Sequence, residues 1–127
     1  MTAAYVDTSY LVAIVYGEPG WEECASRLQS FDILLSSNLL EAELGSALER
    51  EEVTDAPTIL DGLTWILPDR RLTPEIDRVL AVARLRGADL WHVACALYVA
   101  ESPADLGFLS LDERQREAAV AIGFGLA

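Results

Sequence analysis

Short apolar runs alternate along this chain with longer segments whose apolar residues recur at helical spacing. AAYV (3–6) reads as a buried strand ending at Asp7. SYLVAIVY (9–16) is apolar on every side, so periodicity alone leaves strand and helix open. Gly17-Glu18-Pro19-Gly20 breaks the chain, Trp21 to Gln29 reads as a helix, and Ile33–Leu35 as a second strand. A helix follows over 38–50, with apolar residues at 39, 40, 44, 47 and 48. Thr54–Leu63 reads as helical and TWIL (64–67) as a strand. In the next helix Thr73 caps, Pro74 fits the first turn, Arg84 and Arg86 suit the negative end, and Gly87 stops it. Ile76, Val79, Leu80 and Ala83 form its core stripe. Asp89 to Ala100 has the pattern of a helix buried all round; Gly107–Leu111 reads as a strand, Asp112–Ile122 as a last helix, and GFGLA as a short tail. Strands alternating with helices predict an α/β fold, a short parallel sheet flanked by helices on both faces.

The chain has 127 residues and no repeat or linker, which predicts a single domain over 1–127. Nine basic residues face 21 acidic ones, for a net charge of −12, so a basic face alone does not hold nucleic acid. All nine are arginine. Without lysine there is no P-loop, no kinase phosphate lysine and no Schiff-base chemistry. Cys24 and Cys95 lie far apart in apolar helical surroundings and read as buried, reduced thiols. MTAAYVD lacks a basic leader and meets an acid at Asp7; the longest purely apolar run, Tyr10 to Tyr16, is far below membrane-spanning length. These features predict a soluble cytoplasmic protein with no membrane partner.

With so many acids, the informative ones are those that interrupt apolar surroundings. Asp7 ends the first strand and Asp112 follows the last, at the carboxyl edge where parallel sheets open their ligand crevice. Each has a local alternative, capping the helix that follows. At about 100° per residue, with Leu39 at zero, Glu43 falls at about 40°, inside the apolar arc and short of Ala47 at about 80°. Glu41 and Glu49 fall at or beyond the arc's edge and read as solvent-facing. A carboxylate on a core-facing stripe is costly unless paired or metal-bound. The alternative partner for Glu43 is an arginine, Arg27, Arg50 or Arg78 being nearest. Asp89 opens the buried helix, where it either caps or faces a site. His92, a lone histidine, reads as a hydrogen-bonded core or rim residue beside Asp89 rather than a ligand.

Carboxylates gathered at one point repel, so some protonate or a cation is held. All-oxygen donors select Mg²⁺ or Mn²⁺, and Mg²⁺ takes one or two carboxylates, several waters and phosphate oxygens. Such a centre suits phosphodiester hydrolysis, and an acidic crevice admits nucleic acid only once metal is bound.

The blocks YVDTSYLV, LLEAELGSALER, RGADLWHVACAL and FLSLDERQREAAVAIGF together resemble the PIN domain and, in size and order, the VapC-type toxins of type II toxin–antitoxin pairs. The resemblance covers almost the whole chain, and it is the combination, not any single block, that is specific. It implies a metal-dependent endoribonuclease leaving a 5′-phosphate and a free 3′-hydroxyl, with one or two Mg²⁺ or Mn²⁺ ions. By position, Asp7, Asp89 and Asp112 would be metal ligands, and Glu43 would complete the catalytic quartet. Ser9 and Ser110 match supporting hydroxyls. Trp91 stands where the family is usually aliphatic or small, and the tail after Gly123 is short, which implies a stunted last strand. The resemblance further implies an RNA substrate, a cognate antitoxin covering the acidic groove, and a homodimer formed through the helices. Arg84, Arg86 and Arg114 then become candidate RNA contacts, against an alternative as dipole partners or surface charge. Trp21, Leu28, Leu60, Leu63 and Trp65 are candidates for partner surfaces, against an alternative in the core.

Two other readings compete. A metal-dependent phosphatase of the haloacid-dehalogenase type would carry a second Asp soon after the first, which Asp7-Thr8-Ser9 lacks; a receiver domain would use a Lys; a Rossmann fold would show GxGxxG. The non-enzymatic alternative is a PIN-like module that binds but does not cleave.

Overall fold

A computed structural model describes residues 2–51 and 58–125. Four parallel strands, β1 (Ala3–Val6), β2 (Ile33–Ser37), β3 (Leu63–Ile66) and β4 (Leu106–Leu109), form one sheet in the order β3-β2-β1-β4. Among the described residues six α-helices surround it: α1 (Thr8–Val15), α2 (Trp21–Gln29), α3 (Asn38–Arg50), α4 (Thr73–Leu80), α5 (Gly87–Val99) and α6 (Glu113–Ile122). This is the predicted α/β architecture.

Alternation along β1 sets the two layers. Ala4 and Val6 point into a core built with Leu11, Leu28, Leu40 and Leu44 from α1–α3. Tyr5 points the other way, onto Val79, Val93 and Ala119 from α4–α6, and stacks on Phe108 at 5.5 Å. In register, Tyr5 lies between Leu35 and Phe108. Beside it, Gly107 passes so close to Phe31 that a β-carbon would sit 3.2 Å from the ring and 3.3 Å from the Ala4 β-carbon. β1 pairs with β2 on one side and β4 on the other, so the chain reverses its direction of travel across the sheet between β1 and β4. That switch point opens a crevice at the strands' carboxyl ends.

The ambiguous run 9–16 is helical because the Asp7 side chain accepts the Ser9 backbone N–H and starts α1. Gly123, at φ 104°, ends α6, and Gly125 makes an isolated parallel bridge to Gly107; residues 126–127 lie outside the described residues. Cys24 and Cys95 are buried free thiols. Among the described residues no helix is long and apolar enough to cross a membrane.

Several expected boundaries are corrected. α4 ends at Leu80 rather than running to Arg86, closing where both Val82 and Ala83 donate to the Val79 carbonyl. Leu80 is consequently 49% exposed and leaves the core stripe. Gly87 is the first residue of α5, not a stop, and Arg86 sits at the N-cap of α5 rather than at a helix's negative end. Leu72, not Thr73, occupies the N-cap of α4. β3 and β4 each begin one residue earlier than expected, and β4 also ends two residues earlier, because the Ser110 hydroxyl accepts the Asp112 N–H and turns the chain. Of the helix expected over 54–63, residues 54–57 lie outside the described residues, 58–62 form a 3₁₀ turn, and Leu63 belongs to β3. Leu28 and Leu63 are buried and furnish no partner surface; Leu60 and Trp65 are half-buried, and Trp21 is 39% exposed.

Candidate active site

Asp7, Glu43, Asp89 and Asp112, from four separate parts of the chain, line a single cleft of about 360 Å³ at the β1/β4 switch point, together with Thr8, Ser9 and Arg50. The structure therefore brings together all four acids selected from the sequence.

Asp7 is only 4% exposed and its carboxylate is heavily engaged. Oδ2 accepts the Ser9 N–H at 3.0 Å and the Ser9 hydroxyl at 2.6 Å; Oδ1 accepts the Gln115 side-chain amide at 3.1 Å. Asp112 caps α6 by accepting the Gln115 backbone N–H at 2.8 Å. Capping and site are thus not alternatives for these two residues. Asp89 is different: the N-cap of α5 is Arg86, so Asp89 lies in the helix's first turn without capping it. Burial pushes its carboxyl above the ordinary carboxylate range, and the charges of Asp112, Asp7 and Glu43 push it further.

Glu43 is held by two donors on one oxygen. Thr8 donates to Oε1 at 2.8 Å and His92 Nε2 lies 2.6 Å from it. The partner is therefore His92, not the arginine that the salt-bridge alternative required. His92 is buried, and its other nitrogen lies 2.6 Å from the Tyr5 hydroxyl, which itself accepts the Ser37 backbone N–H at 3.2 Å. That acceptance leaves the Tyr5 O–H free to donate to Nδ1, which assigns the Nε2 proton to the bond with Glu43. The His92 hydrogen bond, foremost, keeps the Glu43 carboxyl below its usual range despite partial burial.

Ser9 and Ser110, expected as supporting hydroxyls, both lie beside the Asp7 carboxylate. Their hydroxyls are 3.4 Å apart, and Ser110 Oγ lies 3.5 Å from Asp7 Oδ2. Arg84, Arg86 and Arg114 are exposed and none lines the cleft; Arg50 does. Sequence reasoning missed Arg50 in this role, although it lies seven residues beyond Glu43 on the same face of α3, with Ala47 between. It also missed Gln115. Asp112 and Gln115 have capping-box spacing, but the Gln115 amide turns to Asp7 and the Asp89 carbonyl, and its oxygen accepts from Ser110. Nothing in sequence marks Tyr5 and Thr8 as partners of this network.

Among the described residues, no three His, Cys, Asp or Glu groups close into a ready metal cage. The donors nonetheless fit a hard divalent ion. They are carboxylate oxygens, they crowd one another's charge at Asp89, and Mg²⁺ needs only one or two carboxylates because it retains water. An α/β sheet carrying four such acids at its switch point defines a carboxylate-centred crevice of the kind that handles hard cations and phosphoryl groups. The PIN domain family model matches residues 4–121, and the chain belongs to that family. PIN domains are generally nucleases and generally use divalent metals such as Mg²⁺. No curated protein and no solved structure matches the chain.

Proposed function

We propose that this PIN domain is an Mg²⁺- or Mn²⁺-dependent endoribonuclease and the toxin of a type II toxin–antitoxin pair. The observation that carries the nuclease reading is the mutual crowding of Asp89, Asp112, Asp7 and Glu43 in one cleft. Asp7, Asp89 and Asp112 would hold the cation. When bound, it lowers the pKa of a coordinated water and offsets charge on the phosphate. Glu43, kept ionised by His92 and Thr8, is positioned to accept a hydrogen bond from the attacking water. Arg50, the one arginine lining the cleft among the described residues, would face a phosphate oxygen of the strand. Gln115 and Ser9 fix the Asp7 carboxylate, so little reorganisation is needed when a cation arrives. Water would add to phosphorus and yield a proton to the Glu43 carboxylate, the bond to the 3′-oxygen would break, and that oxygen would take a proton from solvent water as it leaves, giving a 3′-hydroxyl and a 5′-phosphate.

The toxin reading rests on the family resemblance of the four sequence blocks in their order and spacing. It carries with it a homodimer, and an antitoxin segment that covers the acidic cleft. Arg84, Arg86 and Arg114 remain proposed contacts for phosphates outside the cleft.

Total cellular RNA incubated with the protein in Mg²⁺, Mn²⁺ or EDTA tests the nuclease. Cleavage with either metal, lost in EDTA and in both Asp7→Ala and Asp89→Ala, is expected. Cleavage that persists under chelation or in both variants refutes it. A small adjacent reading frame whose product blocks that cleavage tests the toxin assignment.

A further inference from the structure

We propose that a second pocket, walled by Tyr10, Arg27, Ser110 and Arg116, binds a phosphodiester of the RNA strand neighbouring the scissile one. The inference rests on the nuclease reading and adds to it a separate, cationic subsite.

The pocket holds about 290 Å³, and its lining also includes Glu23, Cys24 and Leu111. Two of the chain's nine arginines converge here, from α2 and α6, which are distant in sequence. Among the described residues neither forms an ion pair. Glu23 offsets one charge, leaving the wall net positive in a molecule of charge −12. The Tyr10 phenol, pushed up to about 12 by burial, is drawn partly back by both Arg27 and Arg116, so both charges bear on the same space. Two guanidinium groups beside a phenol hydroxyl supply charge-assisted donors suited to a phosphodiester, while Ser110, whose hydroxyl donates to Gln115 Oε1, forms the wall.

The pocket's position gives it a substrate. Ser110 belongs both to its wall and to the Asp7 hydrogen-bond network, at 3.5 Å from Asp7 Oδ2. The Leu111 N–H donates to Ser9 Oγ, so the wall between pocket and cleft is one residue pair thick. A strand whose scissile phosphate lies among the four acids passes over Ser110 and Leu111 with its next phosphates at Arg27 and Arg116. An acidic cleft repels the strand it must cut, and a cationic anchor one step away adds to the single charge of Arg50 in offsetting that repulsion.

The test uses a fluorescein-labelled, nuclease-resistant phosphorothioate RNA and anisotropy at several salt concentrations, with the intact protein in Mg²⁺. Arg27→Gln and Arg116→Gln should each weaken binding about three- to tenfold and lower the salt slope by about 0.7. Arg78→Gln, the same charge change on α4 outside the pocket, should do neither. Arg27→Lys and Arg116→Lys should keep the slope while losing affinity, because charge survives and the fork does not. Equal effects of Arg27→Gln, Arg116→Gln and Arg78→Gln overturn the subsite. Competition by inorganic phosphate or a nucleoside 5′-monophosphate as strong as that of the unlabelled oligonucleotide overturns the strand assignment. If the wild type cuts no RNA while these binding differences hold, the nuclease reading fails and the subsite stands.

Discussion

Replacing Asp89 by Asn should stabilise the metal-free protein while abolishing its response to Mg²⁺. Asp89 is half-buried and its carboxyl is raised by burial, then by Asp112, Asp7 and Glu43. A group whose folded pKa exceeds its unfolded value destabilises the fold where it must ionise. The penalty is complete above the raised pKa and vanishes below the unfolded carboxylate value of about 4. Two carboxylates about 4 Å apart repel by about 1 kcal/mol in water and about 4 kcal/mol at an effective dielectric near 20. Partial exposure at Asp89 and salt screening place the gain from Asn toward the low end, at about 1–2 kcal/mol. For a chain of this length that is a rise in Tm of about 3–8 °C. Calorimetry without metal at pH 7.5 reads it, and repetition near pH 3.5 should erase the difference. Mg²⁺ at ten times its Kd adds about 1.4 kcal/mol to the wild type and should add almost nothing to Asp89→Asn. A lower Tm for Asp89→Asn in metal-free buffer, or an Mg²⁺ response equal to that of the wild type, refutes the shared-cation account.

Other consequences follow from the packing around the site. Tyr5→Phe removes a buried hydroxyl that serves both the Ser37 N–H and His92 Nδ1, in a protein where no described buried side-chain N or O lacks a partner. Two orphaned groups should cost about 2–4 kcal/mol in urea unfolding, and a loss below about 0.5 kcal/mol contradicts the relay. Gly107→Ala places a methyl 3.2 Å from the Phe31 ring and should destabilise by about 1–3 kcal/mol in the same assay; an unchanged midpoint refutes the close approach. Cys95 is fully buried and its thiol is pushed up to about 12 by burial, so iodoacetamide at pH 8 should label it only after global unfolding. Rapid labelling of Cys95 in native buffer, read by mass spectrometry, contradicts that burial.

What could be read in the sequence divides along physical lines. The strands and the buried helix α5 were legible because their apolar runs answer to burial on two faces. Glu43 was legible for the converse reason, a charge inside an apolar arc. The end of α4 was not, because Ala81, Val82 and Ala83 carry no stop signal and Gly87 looks the same after a helix as at the start of one. His92 was legible as a hydrogen-bonded core residue, but its partners were not: Glu43 is 49 positions away and Tyr5 is 87. Contacts of that range depend on the sheet register, with Tyr5 opposite Phe108 and Leu35, and no local pattern records it.

The two residues for which capping and catalysis competed show why the sheet edge suits this chemistry. Asp7 and Asp112 each follow a strand and each open a helix, so each carboxylate meets the positive end of a helix dipole and free backbone N–H groups. Those donors satisfy the Asp7 oxygens at 4% exposure, where an unpaired carboxylate would be costly. Asp89 caps nothing, and it is the acid whose carboxyl is driven upward. Local donors therefore support two of the acids without any cation, and the residual repulsion falls on the third. That imbalance is what a divalent ion would relieve, and under the proposed function it makes Asp89 the position where stability and metal binding would pull in opposite directions.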